Sequence, residues 1–220
     1  MFKTIGLQVR KDGLTHDQYV DHWLNVHAPM SEGVDGLRGY VSNEVIVAGS
    51  AVDAGATHPD FGAPLDGIAS LHFETADGIA RMAEAPKVQQ WFADGPNFVG
   101  LRTGFVVEET VVASPGAGAE RLPFKAICFV KGGADAVAAI DAHAQAARGG
   151  LVRSRVETVT GSTNLPGFEV PEIDWVVELW GTDIDDARTA ARALRTALST
   201  TGDLVGAVLV RERVLRQPPQ

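Results

Sequence analysis

Val107-Glu108-Glu109-Thr110-Val111 and Val210-Arg211-Glu212-Arg213-Val214 are one strand pattern written twice. Side chains alternate across an extended chain, so each copy puts Val, Glu and Val on a single face. Working outward, Lys3-Thr4-Ile5 matches Lys125-Ala126-Ile127, and Gly36-Leu37 matches Gly150-Leu151. Asp66 with Leu71 matches Asp174 with Leu179. The matches share order and spacing, the mark of an internal repeat. The sequence divides into a first unit at 1–113, a linker at 114–121 and a second, degenerate unit at 122–220.

Each unit carries the order strand, helix, strand, strand, helix, strand. In the first, Ile5, Leu7 and Val9 alternate with polar or small residues. Thr15 reads as an N-cap with Asp17 and Gln18 in the first helical turn, where they suit the unpaired N–H donors. Tyr19, Val20, Trp23, Val26, His27 and Met30 recur at helical spacing, and Pro29 predicts an end or kink at Ala28. Strands follow at 36–48, with Leu37, Val41, Val45 and Val47 on one face, at 66–73 and at 101–112, with a second helix at 77–92. The second unit predicts strands at 126–130, 151–159, 174–180 and 204–215 and helices at 134–148 and 183–198. Gly- and Pro-rich loops occupy 49–64, long enough to serve as a lid, and 161–172. A βαββαβ unit lays both helices on one face of a four-stranded antiparallel sheet and leaves the other bare. Two linked copies can cover each other there. The predicted fold class is therefore α+β: two tandem ferredoxin-like units closing an intrachain pseudo-dimeric barrel.

Composition narrows the functions. Of the 220 residues 45% are hydrophobic and 21% charged, an ordinary globular balance. A net charge of −9 repels nucleic acid and anionic lipid. The single cysteine, Cys128, lies in an apolar strand and cannot form an internal disulfide, which favours a reducing compartment. No apolar run reaches membrane-span length, and the expectation is a soluble, cytoplasmic chain. His22 and His27 are five apart, which on an α-helix does not place two ligands on one face, so no metal site is expected. No nucleophile elbow or nucleotide-binding fingerprint is present. The carboxylates read as solvated helix faces.

The segment Leu14-Thr15-His16-Asp17-Gln18-Tyr19-x-x-His22-Trp23-x-x-x-His27-Ala28-Pro29, then Gly36-Leu37-Arg38-Gly39-Tyr40-Val41-x-Asn43, then Asp66-Gly67-Ile68-Ala69-x-Leu71-x-Phe73, resembles the EthD family of the dimeric α+β barrel superfamily. The second unit follows only the element order: it has no Trp–His–Ala–Pro string, and Ser154 stands where Tyr40 would be. The resemblance, which extends to muconolactone methylisomerases, implies a pocket that binds small organic molecules without a cofactor. It also implies isomerisation, dehydration or decarboxylation by acid–base groups. The residues matching the family's helix histidine and strand tyrosine are His27 and Tyr40.

The residues themselves support those two as candidate catalytic groups. His27 lies one turn beyond Trp23 on the inward stripe, and imidazole titrates near neutrality. Tyr40 reads as part of the polar, non-helix strand face, where a phenol could donate to a developing oxyanion. Trp23, Ser70 and His72 are candidate substrate-binding residues, Ser70 and His72 sharing that non-helix face. His16 and His22 are expected exposed or half-exposed. Two readings stay open: a cofactor-independent lyase or isomerase acting on a small aromatic or lactone-like metabolite, and a non-catalytic carrier of a small ligand. A cofactor-free monooxygenase is a third. The partner in each case is a small molecule, and a homodimer of the two-repeat chain is compatible with all of them.

Overall fold

A computed structural model describes residues 2–47, 64–75, 82–116, 121–144, 149–160 and 172–218. The predicted lid at 49–64 and the loop at 161–172 fall, apart from Pro64 and Glu172, outside the described residues. The first half contributes β1 (Phe2–Arg10), α1 (His16–His22) running on into a π turn (Trp23–His27) and a 3-10 turn (Ala28–Ser31), β2 (Leu37–Val47), β3 (Gly67–Phe73), α2 (Pro86–Phe98) and β4 (Val99–Ala113). The second contributes β5 (Phe124–Lys131), α3 (Ala134–Ala144), β6 (Leu151–Thr160), β7 (Trp175–Gly181), α4 (Ile184–Leu198) and β8 (Asp203–Arg216).

The eight strands close one barrel in the order β1-β3-β2-β8-β5-β7-β6-β4. Each half supplies a four-stranded antiparallel sheet, and the seams are β2 against β8 and β4 against β6. Closure removes the sheet edges and covers both bare faces. The repeat is visible in the backbone: Gly36 and Gly150, each just before its strand, both take positive φ (84° and 104°), a region that favours glycine.

Odd-numbered residues of β1 point into the barrel, even-numbered ones toward the helices. Ile5, Leu7, Phe105, Ile127, Phe129 and Val208 pack inside, each contributing roughly 1.5–3 kcal/mol on burial. At one end the interior turns polar, with Lys3, Lys125, Glu178 and Glu212 buried. Outside, α1, the π turn and α2 cover the first sheet through Tyr19, Trp23, Trp91 and Phe98. The helices α3 and α4 cover the second through Ala136, Ile140, Ala187, Ala191 and Leu194.

The second helix differs in its bounds from the sequence reading. The helix expected at 77–92 is broken and extended: Met82 and Ala83 are helical, Glu84 and Ala85 form a turn, and α2 starts at Pro86 and runs on through Gly95 and Pro96 until Val99 opens β4; residues 77–81 lie outside the described residues. At Ala28, where an end or kink is expected, the chain stays helical but changes type, the π turn giving way to the 3-10 turn. Ala28 keeps helical angles (φ −61°, ψ −42°), and its N–H bonds to Trp23 O, one residue farther back than in an α-helix. Pro29 cannot donate and crowds the carbonyl four residues earlier, and the wider turn followed by a 3-10 turn accommodates it.

Candidate functional site

The capping box between Thr15 and Gln18 starts α1 and fixes its phase. From that start Tyr19 and Trp23 project onto the sheet. Both are fully buried. They fit because β3 opens with Gly67, where a Cβ would stand 2.2 Å from Tyr19 Oη and 2.4 Å from Trp23 Cζ3. Tyr19 Oη donates to Gln8 Oε1 (2.6 Å), and Trp23 Nε1 donates to Tyr40 Oη (2.6 Å).

The π turn then changes the geometry of the histidines. In an α-helix, residues five apart diverge around the axis. The wider turn brings His22 and His27 back to one neighbour, Asp94 of α2. His27 Nδ1 lies 2.9 Å from Asp94 Oδ2, and His22 Nε2 lies 3.1 Å from both carboxylate oxygens. Asn97 Nδ2 also donates to Asp94 (2.9 Å). The sequence reading that separated the two histidines is thus corrected by the π turn. Among the described residues, no group of three or more His, Cys, Asp or Glu is arranged to hold a metal ion.

Electrostatics sets the protonation states. Burial pushes the His27 imidazole below its ordinary value; Asp94 opposes this, while the positive charge of Arg102 adds to it. Burial acts to raise the Asp94 carboxyl, but hydrogen bonds from Asn97, His27 and His22 outweigh it and hold the group low. The resulting pair is a neutral imidazole beside a carboxylate. The carboxylate selects the tautomer protonated at Nδ1 and leaves Nε2 as the basic nitrogen. Burial also pushes the Tyr40 phenol well up, so it stays protonated. Because its oxygen accepts from Trp23, the phenol's own proton is available to a ligand.

His27 and Tyr40 border one cavity of about 300 Å³ between the helices and the first sheet. Ala69, Leu71, Phe73, Phe92 and Val106 give it a mainly apolar wall, with Thr4, Gln8, Trp91, Arg102 and Thr103 as the other polar liners. Trp91 is 2% exposed, and its Nε1–H has no protein partner. The Trp91 ring lies 5.6 Å from that of His27 and 5.8 Å from that of Tyr40, joining the two sides of the cavity.

The other predicted liners separate from this pair. Trp23 stands behind Tyr40 as its hydrogen-bond donor. Ser70 and His72 point into the barrel, where both border a different cavity. The assignment of Tyr40 to the non-helix face is corrected by the irregularity in β2: Leu37 pairs with Phe73 but Gly39 with His72. One extra residue inverts the alternation. Tyr40 consequently joins Leu37 on the helix side, while Val41 faces the interior with Ser70. The same register, Tyr40 opposite Leu71 and Leu151 opposite Leu179, makes Leu151 the counterpart of Tyr40 in place of Ser154.

Sequence reasoning missed Asp94, Trp91 as a donor, and Arg102. Asp94 precedes Gly95-Pro96, a turn-like pair that hid the continuation of the helix. A carboxylate one turn after Trp91 is the signal that could have found it, given the correct helix. Asp66 was missed as well: buried at the start of β3, it binds Arg10 Nη1 (2.5 Å) and His16 Nδ1 (2.9 Å) and anchors α1 to the sheet.

Comparison with known proteins bears on the fold and the family. The chain is 30% identical over 111 residues, half of its own length, to the whole of 4-carboxymethyl-4-methylbutenolide mutase from Pseudomonas reinekei. Among solved structures, an anthrone oxidase-like protein superposes with a TM-score of 0.56 at 7% identity, covering 99% of this chain and 94% of that one. A chlorite dismutase variant from Candidatus Nitrospira defluvii gives 0.50 at 11%, covering 97% and 92%. At such identities these two structures speak for the dimeric α+β barrel fold alone. The EthD domain profile matches residues 11–102, the stretch that builds the cavity from His27 to Arg102. The chain belongs to the EthD family.

Proposed function

We propose that the helix-side cavity of the first half is the active site of an isomerase for a small, carboxylate-bearing unsaturated lactone. The observation that carries this reading is His27, buried on the cavity wall with Nδ1 engaged by Asp94 while Tyr40 borders the same space. The mutase relative, by its name, acts on a carboxymethyl butenolide. The polar liners suit such a ligand, because Tyr40 Oη–H and Trp91 Nε1–H are donors and Arg102 is a cation, while lactones and carboxylates are rich in acceptors.

The chemistry is internal proton transfer. Nε2 of His27 takes a proton from a carbon beside the lactone carbonyl, and the electron pair moves onto the carbonyl oxygen. Tyr40 donates a hydrogen bond to that oxyanion. Asp94 steadies the imidazolium, which then returns its proton at a different carbon, so the product has the formula of the substrate with its double bond moved. Half-exposed His22, on the far side of Asp94, connects the pair with the surface.

The test is incubation with a carboxymethyl-substituted butenolide in D₂O, followed by NMR. Deuterium entering the carbon skeleton, together with a rearranged isomer, is the expected result. Saturable binding without exchange would replace the enzyme by a carrier. Absence of binding would remove this substrate class.

A further inference from the structure

The polar end of the barrel takes no part in that chemistry. It holds a cavity of about 490 Å³, bounded at its mouth by Ser114-Pro115-Gly116 and by Gln217-Pro218. The two-fold repeat places ionic residues there in matched pairs: Lys3 with Lys125 on β1 and β5, Glu109 with Glu212 on β4 and β8. Glu178 of β7 bridges them. Lys3 binds Glu109 and Glu178, Lys125 binds Glu178 and Glu212, and Arg121 binds Glu212 through Nε and Nη2. Three cations thus meet three carboxylates, which keeps the buried charge balanced.

Hydrogen-bonding capacity is not balanced. All four carboxylate oxygens of Glu178 and Glu212 already accept from a lysine or arginine. Each lysine ammonium has three donors and uses two in these bonds. Trp180, 3% exposed, has no partner for Nε1–H. His72, 6% exposed, stands 3.9 Å from Glu109 through Nε2 and has no partner for Nδ1. Both rings line the cavity. Lys125 Nζ lies 4.6 Å from the Trp180 ring centroid and the Arg121 guanidinium 4.9 Å, so positive charge gathers around the unpartnered indole. A built network that has filled most of its acceptors and kept donors in reserve awaits an acceptor-rich ligand.

We infer that this cavity is a second ligand site, for a small organic carboxylate held by Trp180 Nε1–H and the spare donors of Lys3, Lys125 and Arg121. It is separate from the helix-side cavity, which lies across the sheet, and it draws residues from both halves. Val41, Val111 and Val152 give it apolar walls for the carbon skeleton.

The chain has four tryptophans, so ¹H–¹⁵N spectra carry a small set of indole signals that separate the two cavities. Trp180 reports the barrel site and Trp91 the helix-side site. Succinate titrated into uniformly ¹⁵N-labelled protein should move the Trp180 indole signal saturably, with sodium chloride at matched ionic strength leaving it in place. Trp180→Phe keeps the packing and deletes the donor, and should weaken succinate binding measured by calorimetry about tenfold, as expected for one hydrogen bond to a charged acceptor. Lys125→Met should weaken it further in the spectra, and His72→Gln reads the opposite wall should the lysine variant not fold. A Trp180 signal that stays fixed, that follows chloride equally, or that leaves Trp91 alone to respond would overturn the proposal. So would unchanged affinity in Trp180→Phe.

Discussion

The two helix layers of this barrel share an architecture and differ in what fills it. In the first half the bulk comes from the helices: Tyr19, Trp23, Trp91 and Phe98 descend onto a sheet that offers Gly67, Ala69 and Gly104. In the second half the helices offer alanines, and the bulk comes partly from the strand, where Trp175 stands at the place of Gly67 and bonds Gly132 O through its indole. Large rings meeting at angles leave a polar-rimmed space, whereas small side chains let Ala187 and Ala191 close on the sheet. The counterpart of Tyr40 is Leu151, fully buried and without a hydroxyl. A repeated fold can therefore keep its strands and change the space under its helices by trading side-chain volume between layers.

The largest expected effect is on turnover in the first half alone. His27→Ala should reduce lactone-dependent deuterium exchange by ~10²–10⁴-fold, with a stability loss of only ~1–2 kcal/mol. Leu151→Ala in the second half should do the reverse, costing ~2–5 kcal/mol in urea unfolding while exchange per folded molecule is unchanged. A matched loss of turnover in the Leu151 variant would erase the functional difference between the layers. Tyr40→Phe comes next: it keeps the ring and removes the donor, and should lower the exchange rate by ~10²-fold without a comparable rise in KM.

Gly67→Ala should be felt as packing. Its new Cβ collides with Tyr19 and Trp23, and the expected destabilisation is ~1–3 kcal/mol, accompanied by loss of the Trp23–Tyr40 hydrogen bond and reduced turnover. Full activity in a stable variant would show that the first layer is softer than its aromatic packing implies.

The smallest effect is the pH dependence of stability. The folded His27 value lies below its ordinary 6.5 because burial disfavours the charged ring. The unfolded chain therefore takes up the proton first as pH falls. Stability tied to the neutral ring is complete above 6.5 and is lost as pH drops through the depressed folded value. Asp94, also depressed, adds a further loss on the more acid side. His27→Gln should remove the first phase from denaturation midpoints measured against pH. Asp94→Asn removes a charge that raises His27, so the acid limb of the exchange rate should move to lower pH. A limb that stays put would assign Asp94 to structure alone.

What the sequence determined by itself is the repeat, the element order, the barrel and the placing of His27 on an inward stripe. These follow from local periodicity and from the need to cover two apolar sheet faces, both written residue by residue. The tertiary structure alone decided which groups meet. A single irregular residue pairing near Arg38 moved Tyr40 to the helix side and left Ser70 and His72 inside the barrel, because strand alternation has period two and one added residue inverts it. A π turn brought His22 and His27 to one carboxylate, and that carboxylate, Asp94, lies just past the end at 92 that the periodicity gives its helix. Phase errors of one residue are invisible in composition and decisive in space. Lys3 and Lys125, and Glu109 and Glu212, were legible as repeated positions, but the reading of the carboxylates as solvated helix faces is corrected by the buried Glu178 and Glu212, whose ion pairs required the barrel to close.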